Sequence, residues 1–270
     1  MLAVAVAGVA VVTHHGHGAH TAPGTSPVAA DRRRPVQPAF HVSIAAQRAA
    51  IDRLIAAGRP VYCGGTSKPL VALTFDDGPG PYSRHTLQVL RRNGVRATFF
   101  LVAKEVVGWP GLKDVPAEEA DQGAVGDHTY DHVSLDGLTW GELHHEVADA
   151  RQVISAAAGG KPVRLFRPPF GAHDAASDAE VHAQDMLEVL WSVDSGDSTG
   201  ATADRILATV KRDAGPGSIV LLHENRGTTR KALPAILDAL RRKGLRPVTV
   251  PELLAADPPT AAQLASGSCS

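Results

Sequence analysis

The sequence lacks any apolar stretch of membrane-spanning length. Its greasiest run, MLAVAVAGVAVV at residues 1–12, is well short of the ~20 residues a transmembrane helix needs. No stable membrane span is expected; the run suits the apolar region of a secretory signal, although no Lys or Arg precedes it. A short internal anchor or a misassigned start codon is the competing reading. An excess of charge of one sign is also lacking. Lys and Arg number 27 against 28 Asp and Glu, a formal charge of −1, which leaves no electrostatic footprint for nucleic acid or an anionic membrane. Cysteine is nearly absent, and Cys63 and Cys269 form no CxxC pair, which argues against a thiolate zinc site. In an oxidising compartment these two could tie the C-terminus back onto the domain, with two free thiols as the alternative. No internal repeat is evident.

What is present is enough for one sizeable core: 270 residues, 44% of them hydrophobic, the size of a single α/β barrel domain. Residues 1–22 read as a signal peptide or short targeting segment, and 23–40 as a flexible linker rich in Pro, Gly and Arg. His14, His15, His17 and His20 belong to that solvated tail. Residues 41–60 form an N-terminal helix, with Ile44, Ile51, Leu54 and Ile55 at helical spacing and Gly58 as its stop. The catalytic domain is expected at 61–257 and a tail at 258–270. A monomer is expected.

From residue 70 onward seven β-rich runs alternate with helical stretches: LVALTFD, RATFFLV, GAVGDHT, RLFRPPFG, LEVLWSVD, GSIVLLHE and RPVTV. That alternation predicts repeated βα units around a parallel sheet. The firmest helix begins at a Thr139–Glu142 capping box and ends at Gly159; His144 and His145 fall on its surface. A later helix carries Pro234 and is predicted to bend or start there.

The run ALTFDDGPG (72–80) ends on two adjacent carboxylates, yet neighbouring strand residues face opposite ways. A plain Asp-Gly-Pro turn is one reading. The other polar residues favour a second one, because they fall at the same ends of successive strands. Asp76 and Asp77 end the first strand, His128 follows the third, Arg167 ends the fourth, Asp194 and Asp197 follow the fifth, and His223 ends the sixth. In parallel α/β folds those ends build the active site. His128 and His132, four apart and within reach of one ion on a helical turn, make with Asp77 a three-ligand site that leaves an open position on zinc. Asp76 would then be a base for a metal-activated water, and His223 an acid for a leaving amine. Asp197 is the first choice to orient His223 and Asp194 the second. Arg167 either pairs with Asp76 or lies on the surface. The Phe170 backbone N–H, the first donor after two prolines, is a candidate for stabilising an oxyanion.

With those residues in place, the chain closely resembles the polysaccharide deacetylase family, carbohydrate esterase family 4, over about residues 61–257. TFDDGP, HTYDH, RPPFG, WSVDSGD and LLHE match its five motifs in order and approximate spacing. The resemblance implies a distorted (β/α) barrel of about seven parallel strands in a single catalytic domain. It also implies one divalent metal on Asp77, His128 and His132, zinc by preference, with cobalt, nickel or manganese as alternatives. Asp76 would be the base, His223 the acid, Arg167 the tether of the base and Asp197 the neighbour of His223. Leu221 would help form the acetyl-methyl pocket, and Phe170 and Asp194 would also lie against substrate. The implied substrates are acetylated polysaccharides such as peptidoglycan, chitin or xylan; a non-catalytic carbohydrate-binding relic is the contrary reading. Two positions depart from the family: Ser198 stands where Trp is common, and Asp127 where Asn is usual, which adds a negative charge beside the metal ligands.

Overall fold

The first strand explains the architecture. Along Leu70–Gly78 (β1) the side chains alternate, as the pleat requires. Val71, Leu73 and Phe75 join one hydrophobic cluster with helix residues such as Leu87, Leu90 and Leu233. Leu70 and Ala72 join another with Phe100, Leu165, Leu187 and Ile219. Both faces are covered, so the strand reads as a continuous apolar run.

The protein is described as a computed structural model, over residues 40–269. The segment 1–22, nearly all of the linker and the four tail histidines lie outside those residues. β1 is followed by Thr98–Leu101 (β2), Ala124–Asp127 (β3), Leu165–Phe166 (β4), Leu187–Glu188 (β5), Val193–Asp194 (β6), Ile219–His223 (β7) and Arg246–Val248 (β8). All pairings between them are parallel, in the order β5-β4-β3-β2-β1-β7-β6, with β8 beside the start of β1. The single run expected at LEVLWSVD is two short strands, and they occupy opposite edges of the sheet. The few residues between them therefore carry the chain from one edge to the other and curl the sheet into a distorted (β/α) barrel. An isolated Val61–Val189 bridge fills part of that gap.

The helix Ile44–Ala57 ends on Gly58 at φ 62°, a left-handed cap that glycine adopts freely. Its Ile51 and Leu54 meet Leu253 and Leu254 over the second cluster. The capping-box helix is present, with a π-helical turn at His145–Asp149. The helix Gly227–Arg242 runs through Pro234, which neither starts nor ends it. Among the described residues no helix is long and apolar enough to cross a membrane.

Cys63 and Cys269 are joined in a disulfide across 206 residues. A loop of that length is worth about 5 kcal/mol in the chain-entropy view. Cys269→Ser, or reduction of the parent, is expected to lower the unfolding free energy read from urea titration by an amount approaching this figure, with a lower midpoint. An unchanged midpoint on reduction would show that the tail adds nothing to stability.

Candidate active site

The parity of β1 puts Thr74 and Asp76 on the same face as Ala72, and that of β7 puts Leu221 and His223 on the face of Ile219. Asp76 stands opposite His223 in the β1–β7 register, and Thr74 opposite Leu221. On β4, Leu165 shares this face, and Arg167 follows two residues later. The strand ends thus deliver a base, an acid and a guanidinium to one place.

Arg167 is fully buried, not on the surface. Its Nη1 donates to Asp76 Oδ1 at 2.7 Å and Thr74 Oγ1 at 2.8 Å. Nε donates to the Val189 carbonyl and Nη2 to that of Leu190, while the guanidinium stacks 4.1 Å from the Phe100 ring centroid. Burial pulls the Arg167 pKa down, and the Asp76 carboxylate counters it.

Asp77 has φ 65°, a left-handed conformation costly for a residue with a Cβ. This breaks the alternation of β1 and answers the question posed by the paired carboxylates. His128 Nε2 lies 3.7 Å from both Asp76 Oδ2 and Asp77 Oδ1, and His132 Nε2 lies 3.2 Å from Asp77 Oδ1. The two histidines do not sit on a helical turn, as their spacing suggested. Residues 128–136 form a loop in which Thr129 at φ 70° and His132 at φ 60° bend the chain back. Glu146, from the π-helical turn, braces that loop by accepting from the Tyr130 and Asp131 N–H groups, both at 3.0 Å.

This trio fits a divalent metal. The ligand atoms of Asp77, His128 and His132 lie within 4.8 Å of one another. Asp77 Oδ1 is buried without a hydrogen-bond partner, the nearer imidazole nitrogen being His132 Nε2 at 3.2 Å. His128 Nδ1 is 2.7 Å from the Arg167 carbonyl, so it carries the proton and leaves Nε2 as a lone-pair donor. Burial pushes His128 down toward its neutral, ligating form. Burial alone would raise the Asp77 carboxyl, but the adjacent imidazoles hold it well below the usual range.

His223 Nδ1 donates to Asp197 Oδ1 at 2.7 Å, and its backbone N–H to Oδ2 at 2.7 Å. Burial would lower the His223 pKa, but the bond to Asp197 and the nearby Asp76 raise it. Asp194 does not reach His223; its Oδ1 accepts from the Gly196 N–H. Leu221 is buried. Phe170 is 71% exposed, at φ 62°, with its ring 5.0 Å from that of His132. Ser198 is exposed. Asp127 is fully buried; burial pushes its carboxyl well above the ordinary range, which works against the charge its position suggested, and its Oδ2 has no partner.

A cleft of about 400 Å³ opens at Asp77 and His132, with Pro79, Lys104, Trp109 and Arg226 in its walls. Sequence reading did not single out Thr74, Glu146, Trp109, Asn225, whose Nδ2 donates to Asp77 Oδ2, or Thr229, whose hydroxyl donates to Asp197. Thr74 lies inside TFDDGP but is an uncharged residue ahead of its carboxylates, and the other four fall outside the five motifs.

Comparison with known proteins gives the family. A family model described as polysaccharide deacetylase matches residues 64–189. A peptidoglycan-N-acetylglucosamine deacetylase of Bacillus cereus is 32% identical over 197 residues, 71% of this chain and 70% of that protein. A chitooligosaccharide deacetylase of Bradyrhizobium is 33% identical over 198 residues, covering 68% of this chain and 90% of its own. Among solved structures, a carbohydrate esterase family 4 pseudoenzyme from Bacillus anthracis has a TM-score of 0.67 at 29% identity, covering 72% of this chain and 68% of that one. A mutant of it with restored enzymatic activity also has a TM-score of 0.67, at 31% identity, covering 72% and 71%. The chain belongs to the polysaccharide deacetylase family, and so to the hydrolases.

The buried Arg167–Asp76 pair yields a stability test. Arg167→Met leaves Asp76 without its counter-charge, and loss of one partner of a buried pair costs about 3–5 kcal/mol. Thermal denaturation is expected to show this loss, and a variant as stable as the parent would rule out the pair's structural weight.

Proposed function

We propose that this chain is a secreted, metal-dependent deacetylase that removes acetyl groups from N-acetylated cell-wall polysaccharide of the peptidoglycan or chitin type. One observation carries the reading: Asp77, His128 and His132 converge beside an arginine-clamped Asp76, with His223 directly across the β1–β7 pairing. The relatives named for peptidoglycan and chitooligosaccharide support the substrate class. The apolar run at residues 1–12 and the disulfide support export.

A divalent ion held by the three ligands would supply a Lewis acid and a water acidic enough to act near neutral pH. Arg167 keeps Asp76 aimed at that position, and Asp76 takes the water's proton as its oxygen attacks the acetyl carbon. The Phe170 N–H would serve as a donor to the developing oxyanion. As the carbon–nitrogen bond breaks, His223, held by Asp197, delivers a proton to the amine, leaving acetate and a free amino sugar. The methyl group rests against Leu221. In the cleft, Trp109 is 41% exposed and offers the sugar an aromatic face that Ser198 does not.

The pseudoenzyme and its reactivated mutant have equal TM-scores against this chain, so backbone likeness does not separate active from inactive members. Here Asp77, His128, His132, Asp76, His223 and Arg167 all have the chemistry the proposed roles need, which favours the catalytic reading over a decayed relic.

Asp76→Asn is expected to retain bound zinc yet lose about 10²–10⁴-fold in acetate release, the usual share of a general base. His128→Ala is expected to lose both metal and activity. Acetate release from N-acetylglucosamine oligomers and peptidoglycan should stop with chelator and return with zinc or cobalt; turnover unaffected by chelator would refute the metal assignment.

A further inference from the structure

Beneath the turn that carries Asp77 lies a second pair of carboxyl groups outside the chemistry above. Glu119, in the helix Val115–Gln122, and Glu224, immediately after His223, are 0% and 1% exposed. They lie within hydrogen-bonding reach of one another. Both oxygens of Glu119 and Oε1 of Glu224 have no donor. Neighbouring charges worsen matters, because those acting on the pair are Glu118, Asp76 and Asp77. Arg84 and Arg91, on the adjoining helix Ser83–Asn93, pair with Glu118 instead, and His223 Nδ1 donates to Asp197. Two buried carboxylates without a cation cannot both be ionised. A proton placed between them gives each a partner.

Glu224 is also wedged against the catalytic turn. A Cβ on Gly78 would come within 1.7 Å of Glu224 Oε1, so glycine there leaves the space that the Glu224 carboxyl fills. Ser83 Oγ donates to Glu224 Oε2 and accepts from the Gly80 N–H at 2.8 Å. The Glu224 N–H donates to the Asp76 carbonyl at 3.1 Å. Glu224 therefore holds the Asp76–Gly80 turn from both ends.

We propose that Glu119 is a positioning residue for this site: it shares one proton with Glu224, and that proton keeps Glu224 seated against Gly78 so that Asp77 stays aimed at the two histidines. The role rests on reading Asp77 as a metal ligand. Burial raises both carboxyls, Glu224 to about 7 and Glu119 well above its ordinary value, in keeping with a retained proton.

The test uses zinc affinity by chelator competition and the pH dependence of stability, both independent of acetate release. Glu119→Leu removes the proton and any donor to Glu224, and its zinc affinity is expected to fall by about 10–100-fold, as for other supports of metal ligands. Glu119→Gln, whose amide donates to Glu224 without a titrating proton, is expected to stay close to the parent. A folded-state pKa raised above its unfolded value gives stability that is full below the unfolded value, near 4.3 for Glu, and is lost as pH rises through the folded one. The parent should therefore lose stability between pH 5 and 8 by a component that E119Q/E224Q lacks. Parent-like zinc affinity in Glu119→Leu would overturn the positioning role. Identical pH slopes in the parent and E119Q/E224Q would overturn the shared proton, and that comparison decides if Glu119→Leu does not fold. Failure of the deacetylase reading would appear separately, as zinc-loaded parent that releases no acetate.

Discussion

The ion pair between Arg167 and Asp76 is the constraint on which the site depends. A fully buried guanidinium is tolerable only when its donors and charge are satisfied. Here a carboxylate, a hydroxyl and two carbonyls from the β5–β6 crossing do so. The same residue uses its own carbonyl to fix the tautomer of His128. One side chain thus links β1, β4 and the segment that closes the barrel, and its backbone sets which imidazole nitrogen faces the metal position. Disturbing it would affect stability, the base and a ligand together.

Backbone strain concentrates around that pair. Of the five non-glycine residues with positive φ among those described, Asp77, Thr129, His132 and Phe170 surround the candidate metal position, and Asp185 alone lies elsewhere. Such conformations each cost of order 1–3 kcal/mol and persist only where the surroundings impose them. At this site they do one job: they turn side chains that regular strand geometry would send apart toward a common point. The brace from Glu146 and the Asn225 contact to Asp77 hold that arrangement.

Negative charge is dense around the site, and the structure handles it in three ways. Arg167 neutralises Asp76, the imidazoles stabilise Asp77, and the buried carboxyls of Asp127, Glu119 and Glu224 are driven toward their protonated forms. Asp127 and Glu224 sit next to His128 and His223 in sequence, where extra charge would act most strongly. Driving them toward protonation limits further repulsion beside Asp76 and the cation position.

The sequence by itself determined a great deal. Alternating apolar runs and helices fixed the parallel α/β class, and polar residues at strand ends marked Asp76, Asp77, His128, Arg167 and His223, because strand parity and the chemistry of parallel sheets leave few other places for them. It could not determine how LEVLWSVD divides between two sheet edges, that His128 and His132 meet through left-handed loop residues, or that Asp197 rather than Asp194 holds His223. Nor could it show that burial drives the Asp127 carboxyl toward its protonated form, or that Glu119 meets Glu224 across 105 positions of chain. Local patterning reports which face a residue takes within its own element. Contacts between distant segments, and the desolvation that sets protonation, exist only once the chain has closed around them.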